Sequence, residues 1–401
     1  MSEDHGVKND LVIDKSIEYT KDIDDLIYLL TCAINQRKPD TERIDQMNLE
    51  FVYRWAEFHS VASLAAFALE TVIELPETFL RAKKKAIRKL VLFDVERNRI
   101  YSQLNREKIW YMSLKGIVLK DCYPGHCLRE MSDNDILCDA GRMDDVKRIM
   151  EDLRFQCTEY EKRVDDTYVK PPVVFEMHRC LFDKKESELF YSYYKDIKSR
   201  LLPDDKCEYE YRFTPEDFYI YMIAHEYKHY ILGGTGLRSL LDICVYLKRW
   251  NNQLDWDYIY GELDQLKIKD FEQKTRKLAE SAFSGTPLGE TEKEELIYYL
   301  SSGTFGNTEH ALTNHIAKAL SGDDSAGSKR QYYKDRLFMT EKSMKKNYPF
   351  FYRHKYLIPV LHVYRLLRAV FVKPKELLHE YKKVKEFDYS KNEHANRNGS
   401  R

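Results

Sequence analysis

The stretch LREMSDNDILCD, Leu128 to Asp139, decides how the middle of this chain folds. It sets Asp133 and Asp135 two residues apart and runs them into the apolar Ile136-Leu137-Cys138. An extended chain alternates its side chains, so residues i and i+2 share a face. Two carboxylates on one face repel each other unless water solvates both or a cation lies between them. The short apolar run predicts a strand over NDILC, with the acids at its start.

Upstream, IWYMSL (109–114) is short, aromatic and apolar, as a buried strand should be. It stops at Lys115-Gly116. A helical IVLKDCY segment follows, then a Pro124-Gly125 turn. A helix start after Lys115-Gly116 would leave backbone N–H groups free for phosphate. Downstream, AGRMDDVKRIMEDLRF predicts a helix with Met143, Val146, Ile149, Met150 and Leu153 on one side. FQCTEY and PPVVFEMHRCLF (171–182) predict two further strands. In the second of these, Val173, Phe175 and Met177 face one way; Val174, Glu176 and His178 face the other. Asp133, Asp135 and Glu176 would then offer hard oxygen donors on adjacent strands, the ligand type Mg²⁺ prefers when it also binds substrate phosphates.

The flanks are helical. FHSVASLAAFALETVIEL predicts one apolar helix. A second, starting near Pro76, carries Phe79, Ala82, Ala86, Leu90 and Phe93 at spacings of three and four, with RAKKKAIRK as a solvated face. Beyond 187, Thr214-Pro215-Glu216 starts a helix that Gly233-Gly234 ends, and LRSLLDICVYLKRW forms the next. SGDDSAGSKR (321–330) reads as a flexible loop. Pro359 opens a packed helix with a stripe of Val360, Val363, Tyr364, Leu367, Val370 and Phe371, and with Arg365 and Arg368 outward. The expected fold is α+β: a small mixed β-sheet core flanked by helical N- and C-terminal regions. The expected divisions are 1–105, 106–186 and 187–386, with a tail at 387–401; residues 1–10 also read as a frayed end.

The 401 residues carry 65 Lys and Arg against 66 Asp and Glu, so no overall charge draws the chain to long nucleic acid or an anionic membrane. The eight cysteines form no Cys-x-x-Cys pair, which points to free thiols in a cytoplasmic setting. MSEDHGVKND has no apolar signal core, and no run of about 18 apolar residues predicts a transmembrane segment.

The order of these parts resembles the polymerase-β-like nucleotidyltransferases, and more closely an uncharacterised bacterial nucleotidyltransferase family within that superfamily. The matching features are Leu114-Lys115-Gly116, Arg129, Ser132-Asp133-Asn134-Asp135 and Glu176-Met177-His178. His225, His229 and Leu237-Arg238-Ser239-Leu240-Leu241-Asp242 complete the set. Ile117 follows Gly116 where the superfamily has Gly or Ser, and Asn134 stands where it has an apolar residue. The resemblance implies transfer of an NMP from an NTP, ATP among the candidates, to an acceptor hydroxyl with release of pyrophosphate. Asp133, Asp135 and Glu176 would be catalytic and would hold one or two Mg²⁺. Lys115, Gly116, Arg129 and Ser132 would bind the nucleotide, with His178, His225 and His229 lining the cleft. The acceptor could be a small molecule, a sugar, a protein or an RNA end. A non-catalytic nucleotide-binding module on a decayed version of this fold is the rival from another class.

His225-Glu226-Tyr227-Lys228-His229 also matches His-Glu-x-x-His, which can bind zinc on a helix with Glu as general base. A zinc metallopeptidase needs a third ligand, for which Asp242 and Glu262 are available. A helix face with its own place in the nucleotidyltransferase pattern is the competing reading.

Overall fold

The computed structural model describes residues 19–304 and, beyond them, 306, 307, 310–314, 334, 338, 344, 348–372, 378, 381, 382, 384 and 385. The segment 321–330 and the two expected tails lie outside the described residues. The chain forms two compact units, one of residues 1–228 with 235–304 and one of residues 229–234 with 305–401.

The first unit opens with α1 (Lys21–Ile34), α2 (Thr41–Asp45), α3 (Leu49–Phe58) and α4 (Ala62–Leu69). The apolar helix expected from Phe58 onward is therefore cut. His59 and Ser60 turn the chain, Ser60 at φ +53°. His59 is fully buried and its Nδ1 accepts from the Leu237 N–H at 3.4 Å, so packing overrides local helix propensity there. The thirty-residue α5 (Glu77–Arg106) follows Pro76 and sends Leu90, Phe93, Ile100 and Leu104 into the core.

The centre holds β1 (Tyr111–Ser113), α6 (Gly116–Leu119), β2 (Asn134–Cys138), α7 (Met143–Asp152), β3 (Gln156–Glu159), β4 (Asp165–Lys170) and β5 (Val173–His178). After α8 (Glu188–Tyr194) come β6 (Leu202–Pro203) and β7 (Glu210–Arg212). The sheet is seven-stranded and mixed, in the order β3-β4-β5-β2-β1-β7-β6. β2 lies parallel to β5 and antiparallel to β1. α9 (Pro215–Gly233), α10 (Leu237–Trp250), α11 (Trp256–Gln265), α12 (Lys269–Ala282) and α13 (Glu290–Ser302) follow. The mixed sheet with helices on both sides in sequence matches the expected α+β class.

One sheet face is dry. Phe175 meets Phe93 at 5.7 Å and Phe155 at 5.5 Å, both edge to face, and α7 adds Met143, Val146, Ile149 and Met150. Burying each large side chain contributes roughly 1.5–3 kcal/mol. Alternation then forces Glu176 onto the other face. Asn134 enters the dry core at 1% exposure, and its Oδ1 accepts from Arg97 Nη1 at 2.9 Å. Its Nδ2 donates to the Asp133 carbonyl at 2.9 Å, so this polar position is satisfied although buried.

Two parts of the sheet were not expected. β4 begins Asp165-Asp166; Asp166 is fully buried, with both oxygens 2.6 Å from Arg179 Nη2. β6 and β7 fall in a region that reads as helical, because two- and three-residue strands leave no periodicity to detect.

In the second unit, α14 (Pro349–Arg353) and α15 (Ile358–Val372) are helical. Leu361 is buried, but Val360, Val363, Tyr364 and Phe371 are exposed, so these described stripe residues are not packed as expected. The side chains at 366–370 lie outside the described residues.

Candidate functional site

Parallel pairing of β2 and β5 sets Asp135 directly beside Glu176, and Leu137 beside His178. Because Glu176 and His178 are two residues apart on β5, both project beside Asp135. His178 Nε2 lies 2.9 Å from Asp135 Oδ1 and 3.7 Å from Glu176 Oε2. Donor atoms of Asp135, Glu176 and His178 all lie within 4.8 Å of one another. Lys115, between β1 and α6, brings Nζ to 3.3 Å from Asp135 Oδ1, with its own backbone held at φ +40°.

Burial works against the Asp135 carboxylate, but Lys115 and the His178 hydrogen bond outweigh it and hold its pKa well below the usual range. Burial likewise works against the Lys115 ammonium, and Asp135 reverses that and raises its pKa. Asp133, just before β2, has its pKa raised by burial and then by the charge of Asp135. Glu176 is pushed up to about 8, by burial first and then by the charges of Asp135 and Asp133. Negative charge is thus concentrated beyond what Lys115 neutralises. Closely spaced donors with excess negative charge fit a divalent cation. Asp135, Glu176 and His178 are the close set, and Asp133 stands at its edge within electrostatic reach.

The predicted nucleotide-binding residues separate. Gly116 opens the four-residue α6, and Ile117 after it is buried. Arg129 is buried and bidentate to Asp242 of α10, Nε to Oδ1 at 2.8 Å and Nη2 to Oδ2 at 2.7 Å. Tyr123 Oη donates to the same carboxylate at 2.8 Å. The Ser132 carbonyl accepts from Lys89 Nζ at 3.0 Å. Three separated parts of the sequence pattern converge here, because a Cβ on Gly116 would collide with Arg129 Nη1 and come within 3.0 Å of Met131 Sδ. Arg129 cannot yield freely, since Asp242 holds it. Gly116→Ala is therefore expected to cost about 1–3 kcal/mol through overpacking, read as a lower urea midpoint, with nucleotide affinity falling alongside.

The histidine helix does not assemble a zinc site. Among the described residues, neither His225 nor His229 joins a group of three possible metal ligands. His225 is half-buried with its ring 6.1 Å from Tyr221, and His229 is exposed. Glu226 is buried and accepts from Thr235 Oγ1 at 3.5 Å. The two candidate third ligands are taken: Asp242 by Arg129, and Glu262 by Arg200 at 3.0 Å and Gln265 at 2.7 Å. Burial pushes the Glu226 carboxyl up to about 8. A raised carboxyl pKa favours folding at low pH, fully below about 4.5, and that contribution is lost as pH rises through about 8. Glu226→Gln should match the wild type in urea denaturation at pH 5. It should be the more stable protein at pH 9, by on the order of 2–4 kcal/mol.

Sequence reasoning missed the role of Asp242, whose signal was its place in Leu-Arg-x-Leu-x-Asp. It also missed Tyr221, which lies close enough to Lys115 and Asp135 for their charges to act on its hydroxyl; nothing in its sequence context singles it out.

The eight cysteines are free thiols, and no helix among the described residues is long and apolar enough to cross a membrane. No curated protein matches the chain. A crystal structure of an antigenic nucleotidyltransferase-like protein from Paracoccidioides brasiliensis aligns over 48% of this chain and 91% of its own, at 14% identity and a TM-score of 0.31. Residues 45–284, more than half of the chain, match the family described as "Uncharacterised nucleotidyltransferase". That span takes in the Lys115-Gly116 turn, the Asp133/Asp135 pair, Glu176 and the Arg129–Asp242 clamp, and the chain belongs to this uncharacterised nucleotidyltransferase family.

Proposed function

We propose that this chain is a Mg²⁺-dependent nucleotidyltransferase that moves an NMP from an NTP to an acceptor hydroxyl. The observation that carries the reading is the register of β2 against β5, which sets Asp135 and Glu176 side by side; the charge of Asp133 also acts on Glu176. Asp133, Asp135 and Glu176 would hold the cation. When bound, it would neutralise charge on the α-phosphate and make the acceptor hydroxyl more acidic. The acceptor oxygen forms a bond to the α-phosphorus, the bond from that phosphorus to the bridging oxygen breaks, and pyrophosphate leaves. Lys115, already at Asp135, supplies positive charge beside the phosphates. Glu176 is more exposed than Asp135, at 29% against 7% of the side chain, and receives the acceptor's proton. His178 fixes the orientation of Asp135 through its 2.9 Å hydrogen bond.

The near-neutral total charge favours a small or protein acceptor over long nucleic acid. A decisive experiment incubates the purified chain with each α-labelled NTP, Mg²⁺ and cell extract, and asks which molecule acquires label. Transfer that disappears in Glu176→Gln supports the reading. Mg²⁺-dependent nucleotide binding without transfer would instead make the chain a non-catalytic nucleotide-binding module. That outcome would fit Lys115 as a permanent partner of Asp135.

A further inference from the structure

The near-balance of charge over the whole chain hides a strong local imbalance. From Lys342 to Lys375 the sequence has nine Lys and Arg and no Asp or Glu, over 34 residues. The rest of the chain is therefore net −10 at neutral pH, against −1 in total.

Within this run, α14 and α15 show what surface it builds. Val360, Val363, Tyr364 and Phe371 are each more than half exposed. Spacings of three, four and seven residues place them on one face of α15. Leu361, about 100° around the helix from Val360, is buried and faces inward. Phe350 of α14 and Tyr356 between the two helices are also more than half exposed. Arg353 and Lys355 are exposed beside them, and Lys373 and Lys375 follow α15 in sequence. Large apolar side chains left in water along one short stretch mark an interaction surface.

The charge says what covers it. A second copy of the chain would bring one cationic run against another, and like charges repel. A nucleic acid would need the cations on the face that meets its phosphates, whereas the exposed face of α15 presents Val, Tyr and Phe. An anionic lipid surface matches both features, its acyl region taking the apolar stripe and its headgroup phosphates the Lys and Arg. At 15 residues α15 is too short to span a bilayer, but an interfacial helix lies in the plane of the surface. We propose that α14 and α15 form a membrane-docking surface, with Val360, Val363, Tyr364 and Phe371 seated in the headgroup region of an anionic bilayer.

The test floats the full chain with vesicles of phosphatidylcholine alone and of phosphatidylcholine mixed equally with phosphatidylglycerol. The chain should float with the mixed vesicles and stay behind with the neutral ones. Raising salt from about 0.1 M to about 0.5 M should weaken binding at least about tenfold, because the headgroup charges are screened. Val363→Asp with Tyr364→Asp should weaken it at least about tenfold as well. Arg353→Gln with Lys355→Gln should weaken it about fivefold or more. All four side chains are exposed, so thermal unfolding of both double variants should match the wild type. Should either variant unfold, the wild type on the two vesicle types decides. No flotation with the mixed vesicles overturns the proposal, and so does equal flotation with both. Binding that survives Val363→Asp with Tyr364→Asp in a folded protein overturns it too, because the stripe is then not seated in lipid. A wild-type dimer that this variant loses, without vesicle binding, would assign the stripe to a second copy and overturn it. RNA binding without vesicle binding would assign the cationic run to nucleic acid, with the same result.

Discussion

Asp135→Asn is expected to abolish the stabilisation that Mg²⁺ and NTP together give the wild type, and to lower label transfer by about 10³-fold or more. The change keeps the shape of the side chain and removes the charge on which Lys115 and His178 converge. A ligand at one hundred times its Kd stabilises a folded protein by about 2.7 kcal/mol, so the thermal shift in the wild type is easily measured. The variant should show none. Its own fold should survive. Lys115 is partly exposed, at 23% of its side chain, so water can solvate the ammonium once Asp135 is gone. The expected loss without ligand is about 1–3 kcal/mol. Circular dichroism in the absence of nucleotide separates the two effects. An Asp135→Asn protein that keeps the wild-type thermal shift would sink the metal-site proposal.

The second large effect lies in the clamp between Arg129 and Asp242. Both side chains are nearly buried, at 8% and 10%, and they are 113 residues apart in sequence. Arg129→Met leaves Asp242 in the interior with Tyr123 as its remaining close partner, and should cost about 3–5 kcal/mol in urea denaturation. Asp242→Asn should cost as much, because it leaves Arg129 and Arg238 close together with their shared anion gone. The double change Arg129→Met with Asp242→Leu should recover most of the loss, since a well-packed apolar pair often equals a buried ion pair. It should not recover nucleotide affinity, because Gly116 then loses the guanidinium it packs against. A double variant as active as the wild type would show that the clamp serves stability alone.

These residues also show how far the sequence could be read. NDILC was legible as a strand from its short apolar Ile136-Leu137-Cys138 run, and VVFEMH from its β-favouring residues and the period-two alternation that separates the dry face from the acidic one. Their parallel pairing, which makes a site of Asp135 and Glu176, is a long-range fact that no local pattern carries. The family resemblance implies a nucleotide contact for Arg129. Its real partner could not be inferred from spacing alone. β4 stayed hidden because Asp166 at its start is satisfied by Arg179, which follows the end of the next strand. The break after Phe58 stayed hidden because its cause is a backbone contact with residue 237. The histidine pair was legible as a helix face, but the zinc motif it completes depended on third ligands that the fold commits elsewhere.

Asn134 and Arg97 have a consequence for how this protein can change. An apolar residue at 134 leaves Arg97 Nη1 without its buried acceptor, Asp94 keeping only Nη2, while removing Arg97 alone leaves the Asn134 Oδ1 without its donor. Either step alone is costly, and the two together need not be. The positions therefore form a single genetic locus split across a helix and a strand, and a variant library should find them exchanged as a pair.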